Sequence, residues 1–228
     1  KTSSAKQCLL YNDTELEVRG DYDQRPKRLK DYDVQPNSTI YLLVLLYEVP
    51  ENFDEVIFDL FWGYPESGRD FLDASVFLFS GSKFIEVVDF KRKGSKAVKH
   101  SGDIMDSDNR VGHHTINVSI KSIPSRIDRL VFTLSAWRSP NISKYPNISL
   151  QFYDASCPNK RLCDDKMDEI VYSQAVIMCF LNKRDGKWQV VSVKHPSRGN
   201  ALDYKPLKCT ITSLIEREKG TVMPSSSK

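Results

Sequence analysis

The sequence predicts a mainly β fold, a β-sandwich, preceded by a smaller segment. Three observations carry this expectation. Short runs rich in branched and aromatic residues recur along the chain, and Gly, Pro, Asn or Asp bound each of them. An Arg184-Asp185-Gly186 segment holds the Asp-Gly dipeptide of a tight hairpin. No internal repeat exceeds a strand pair, which leaves many short strands at loop-punctuated intervals, the pattern of two packed sheets.

At the N-terminal end, Cys8 to Tyr11 reads as a short strand, and Asn12-Asp13 turns it. A polar excursion from Glu17 to Lys30 leads to a second strand, Ile40 to Leu46, dense in branched apolar residues. Tyr47 to Asn52 is polar and contains Pro50, so a boundary is expected there. Beyond it the strands are Ile57 to Trp62, Ala74 to Phe79, Ile116 to Ile120, Leu130 to Ser135 and Ile148 to Phe152. Ala175 to Leu181 and Trp188 to Val193 flank the Asp-Gly turn. Leu207 to Glu218 alternates poorly, and Thr221 to Lys228 is polar. The expected organisation is therefore a first unit at 1–47, a sandwich at 48–200 and a partly disordered tail at 201–228.

Composition narrows the function classes. With 228 residues, 40% hydrophobic and 28% charged, the chain can bury a sizeable core. A net charge of +3 without a dense basic run argues against nucleic acid as a partner. The longest apolar stretch, Ile40 to Tyr47, is far short of the roughly 18 residues that span a bilayer. Five scattered cysteines (Cys8, Cys157, Cys163, Cys179 and Cys209) form no C-x-x-C pair and suit reduced thiols, so a cytoplasmic location is expected. Against this stand five N-x-S/T sequons, at Asn12, Asn37, Asn117, Asn141 and Asn147, which would matter in a secreted protein. The start at Lys1, without an initiator Met, reads as a piece of something longer.

Chemistry concentrates in two acidic segments. The first holds Asp70 and Asp73 in Asp70-Phe71-Leu72-Asp73-Ala74-Ser75. The second runs from His100-Ser101-Gly102-Asp103 through Asp106, Asp108 and Asn109 to His113-His114-Thr115. Oxygen ligands crowded from separate loops suit a hard cation, because Ca²⁺ takes six to eight oxygens. The competing reading is a solvated turn whose Asp and Asn side chains cap local amides.

These segments, with Ile123-Pro124-Ser125-Arg126-Ile127-Asp128-Arg129-Leu130, Gln174-Ala175-Val176-Ile177-Met178 and Arg184-Asp185-Gly186-Lys187-Trp188, occur in the order and spacing of the TerD family of tellurium-resistance and stress proteins, which this part of the chain resembles. The Asp73-Ala74-Ser75 motif lies C-terminal to Trp62-Gly63, read as a turn. The resemblance implies a calcium-binding β-sandwich with a scaffolding or stress-response role and no established catalysis. It makes Asp73 and Asp103 the first ligands, with Asp70, Asp106, Asp108 and Asn109 assisting. Two departures weaken the implied site. Phe71 stands where the family's middle carboxylate belongs, and Val111-Gly112-His113-His114 replaces an acidic Gly-Asp-Asp-Glu cluster. One weakened Ca²⁺ site at most, or none, is expected. His100, His113 and His114 raise zinc as a rival, but neighbouring histidines on a strand point to opposite faces.

The first 46 residues resemble the C-terminal half of a ubiquitin-like domain, through Leu9 to Glu17 and then Leu29-Lys30-Asp31-Tyr32-Asp33-Val34-Gln35-Pro36-Asn37-Ser38-Thr39-Ile40. About ten extra residues, Val18 to Lys27, interrupt the match, and no diglycine comes after Leu46. That resemblance implies a partial α+β interaction module in which Leu10 and Leu43 sit at a partner-binding patch; ordinary core packing is the competing reading.

An enzyme is not expected: no G-x-S-x-G or H-E-x-x-H occurs and no cysteine has a neighbouring His. A calcium-dependent membrane-surface module, helped by Lys91-Arg92-Lys93, Lys96 and Lys99, is a further alternative. The reading that results is a non-enzymatic adaptor contacting other proteins, of undetermined oligomeric state.

Overall fold

The computed structural model describes residues 6–11, 14–17, 25–38, 40–167 and 172–219. Strands β1 (Gln7–Tyr11), β2 (Thr14–Glu15), β3 (Tyr41–Val49), β4 (Glu55–Gly63), β5 (Leu72–Ser80), β6 (Lys83–Val88), β7 (Val98–His100), β8 (Ile104–Asp106), β9 (Val111–Ser119), β10 (Arg129–Ala136), β11 (Ser149–Asp154), β12 (Arg161–Lys166), β13 (Ala175–Arg184) and β14 (Lys187–Ser197) precede a helix, α1 (Lys205–Lys219). One sheet runs β2-β1-β3-β14-β13-β10-β5-β6 and the other β12-β11-β4-β9-β7, with β8 paired to β9.

Alternation sets which side chains meet between the sheets. In β9 the pattern is strict: Gly112, His114, Ile116 and Val118 are buried and their neighbours are half-buried. Ile116 and Val118 join Phe58, Leu60 and Trp62 of β4 and Leu72, Ala74, Val76 and Leu78 of β5 in one apolar core. Phe58 and Phe132, from different sheets, stack with ring centroids 4.0 Å apart. Trp62 needs room to lie flat on β9, and its cross-strand partner is Gly112. A Cβ at Gly112 would come within 2.4 Å of the indole.

β5 is buried along both faces, as are the first eight residues of β13. Their second face packs under α1, where Phe77, Phe79, Val131, Ile177 and Phe180 meet Leu207, Ile211, Leu214 and Ile215. Those four helix positions have the spacing of one helical face. The expected tail thus holds a helix over 205–219: its apolar period is 3.6, and sorting it by strand alternation hides it. Residues 220–228 lie outside the described ones.

The hairpin at Asp185-Gly186 forms as expected, with φ of 50° and 82° at the two turn residues, the left-handed pair of a type I′ turn. Trp62-Gly63, read as a turn, is instead the end of β4. Strands β6, β7, β8 and β12, which carry no clear period in the sequence, are short and each has exposed positions.

The boundary expected at 47/48 falls inside β3. This strand pairs with β1 through Tyr41–Val44 and with β14 through Val44–Val49. Of the two leucines assigned to a partner patch, Leu43 packs against the cluster under α1. Leu10 pairs with Glu15 and Tyr41 through its backbone, and its side chain lies outside the described residues. Among the described leucines of β1 and β3, Leu9 and Leu42 are exposed and are cross-strand neighbours.

Candidate cation site

Two buried histidines fix the acidic segments to β5. His100 lies against the carbonyl of Ala74 through Nε2, at 3.2 Å, and its Nδ1 accepts the amide of Gly102 at 2.9 Å. Burial, then the neighbouring His114, pushes His100 down to about 4, so the ring is neutral with its proton on Nε2. His114 is fully buried, with Nε2 2.7 Å from the carbonyl of Leu72 and Nδ1 3.1 Å from that of Gly102. Burial lowers its pKa as well. The two rings, 4.9 Å apart, tie the Gly102 turn to the start of β5. His113 faces the other way and stacks on Phe61 at 4.7 Å. All four ring nitrogens of the buried pair thus lie against backbone groups.

That tie sets Asp103 beside Asp73. Asp73 is 7% exposed, and its Oδ2 is buried without a hydrogen-bond partner. Burial, then the charges of Asp103 and Asp89, pushes its carboxyl up to about 7, with Lys91 acting the other way. Asp103 is half exposed and lies 3.6 Å from His114 Nε2. Asp89, which no motif of the sequence marks, is buried and well satisfied. It accepts the amides of Lys91 and Arg92, the Arg92 guanidinium and the Tyr204 hydroxyl. Burial opposes its ionisation, but the Arg92 bonds outweigh it and hold the carboxyl below its ordinary range.

The other candidates divide. Asp70 stands at the rim, paired with Lys144 at 2.6 Å and accepting the amide of Phe71. Trp62 reaches from the core to donate to the Asp70 carbonyl at 3.0 Å. Asp106 closes its own turn: Oδ1 accepts the amides of Asp108 and Asn109, and Oδ2 accepts the Asn109 side chain at 2.7 Å. Asp106 and Asn109 thus make local capping bonds, the amide of Asp108 joins the same turn, and none of the three lines the cavity that Asp73 lines.

That cavity, about 580 Å³, is lined by Asp70, Asp73, Asp103 and Lys144 together with the rings of Phe71, Phe90 and Trp137. Its donor set partly fits calcium. Asp73 supplies an orphaned buried oxygen and Asp103 a second carboxylate, while Asp70 is engaged by Lys144. Among the described residues no three His, Cys, Asp or Glu side chains converge to hold a metal ion.

Fold and site together define a two-sheet β domain with a carboxylate pocket at the start of β5. The TerD domain profile matches residues 44–203, and the chain belongs to the TerD family. It is 26% identical to the tellurium resistance protein TerZ of Serratia marcescens over 141 residues, 60% of this chain and 72% of that one. Two solved structures share the fold. A homologue of the telluride resistance protein TerD from Streptomyces coelicolor A3(2) matches with TM-score 0.56 and 11% identity, covering 75% of this chain and all of that one. A protein of unknown function, SAV2460, matches with TM-score 0.51 and 18% identity, covering 76% and 100%. The matched segment begins inside β3 and ends just before α1.

Proposed function

We propose that this protein is a non-enzymatic, cytoplasmic adaptor of the stress-response kind. Its TerD-type β-sandwich contacts other proteins and holds at most one calcium ion, between Asp73 and Asp103. The observation that carries the ion is the partnerless Oδ2 of Asp73 facing a second carboxylate. When bound, Ca²⁺ would supply charge neutralisation to a buried acid; Asp73 and Asp103 would hold it, short of the carboxylate count that gives high affinity. The adaptor reading is supported by family membership and by thiols of low reactivity. Burial pushes Cys163 up to about 12 and raises Cys179 as well. The ubiquitin-like reading of the first segment is supported by the pairing of β1 with both β2 and β3.

The test is a calcium titration of the full chain monitored by thermal stability, with EDTA as reference and Asp103→Ala as control. A ligand at a hundred times its Kd should add about 2.7 kcal/mol. An upshift abolished in the variant would assign the site. No shift at millimolar calcium would leave a scaffold that binds proteins without an ion.

A further inference from the structure

Much of the cavity wall is of no use to a hard cation. Phe71, Phe90 and Trp137 line it together with the carboxylates of Asp73 and Asp103. Aromatic faces attract organic cations and accept their apolar stems, whereas Ca²⁺ requires oxygens. The cavity is also far larger than one ion, at about 580 Å³. The protein already shows the recognition in question. The Lys91 ammonium lies 5.5 Å from the ring centroids of both Phe90 and Trp137, which meet edge to face at 5.5 Å. Asp73, which lines the cavity beside these rings, keeps a buried oxygen without a partner. Lys144 does not supply one, because it is paired with Asp70. Arg138, exposed at the rim, is a lining charge that opposes a cation.

We propose that this cavity is a recognition site for an alkylammonium group, held by the Phe90 and Trp137 faces and by the Asp73 carboxylate, with the exposed Lys91 ammonium as an intramolecular competitor for the two rings. A small free amine and a lysine side chain of a partner protein share this chemistry. The two sources differ in whether the alkyl stem ends freely or joins a peptide backbone, so they separate by probe. Calcium would compete for Asp73 and Asp103 but has no use for Trp137.

The test is a titration of the full chain, in EDTA, with n-butylamine hydrochloride and separately with acetyl-Gly-Lys-Gly-amide, read by Trp fluorescence and by amide NMR shifts. Saturable shifts in the Phe90 and Trp137 segments are expected. Trp137→Leu should weaken binding at least tenfold while leaving any calcium response intact, and Asp73→Asn should weaken both. Lys91→Ala should tighten amine binding several-fold, a gain that a merely structural Lys91 would not give. Binding of the peptide as tight as butylamine would point to a partner lysine; binding of butylamine alone would point to a free amine. No saturable shift with either probe in wild type and Lys91→Ala, both folded by circular dichroism, would overturn the proposal. A calcium response that survives in that case would leave the ion site standing by itself.

Discussion

Asp73 and His100 oppose each other across one pH window. An acid raised from 3.8 to about 7 binds more protons folded than unfolded, so its contribution to stability falls as pH rises through that range. A histidine lowered from 6.5 to about 4 binds fewer protons folded, so its contribution falls as pH drops from 6.5 to 4. In the wild type the two offset each other, and the lowered His114 acts in the same sense as His100. Asp73→Asn should unmask the histidine: in EDTA, the variant gains stability over wild type progressively from pH 4 to pH 7, by about 4 kcal/mol at the upper bound. Thermal melts at pH 4.5 and pH 8 check it, and a gain that does not change with pH would refute it. The acidic motif makes Asp73 and Asp103 legible in the sequence. Asp89 and Tyr204 are not, because they reach the site from the end of β6 and the start of α1, separated by more than a hundred residues. His100 and His114 are visible as candidate ligands, yet nothing local says that their nitrogens will meet carbonyls of β5.

At the scale of elements, α1 is what covers the second face of the large sheet. Apolar runs such as Ala74-Ser75-Val76-Phe77-Leu78-Phe79 and Ala175 to Leu181 carry too many large side chains for a strand with one wet face. That excess is the readable sign of a covering layer, and Leu207, Ile211, Leu214 and Ile215 supply it. Asp203 Oδ1 accepts the amide of Lys205, and Pro206 in the first turn gives up no helical bond. Tyr204 anchors this end, its hydroxyl bridging Ser75 at 2.8 Å and Asp89 at 3.0 Å. Ile211→Ala should lower unfolding free energy by about 2–5 kcal/mol, the range for emptying a buried aliphatic site. A urea titration checks this, and a loss under about 0.5 kcal/mol would mean that the helix does not rest on the sheet.

For the whole molecule, the question is whether residues 6–47 fold by themselves. The strong strands are legible because a buried face imposes period two wherever it occurs. The joining of the first segment to the rest is not, since pairing between β3 and β14 links residues near 45 and 190 and leaves no local mark. β3 is an interior strand: Val44 pairs with Gln7 on one side and Ser192 on the other. Proline there removes the amide that a central strand must donate and leaves its acceptor unpaired. If the first segment were a separate module, Val44→Pro would melt that module and leave the core transition in place. Because β3 is shared, the expected result is one cooperative unfolding transition at a midpoint shifted by about 3 kcal/mol or more, with far-ultraviolet circular dichroism and fluorescence of the buried Trp62 and Trp188 coinciding. An early transition in dichroism alone, with the tryptophan midpoint unmoved, would show that the segment folds apart from the sheet it extends.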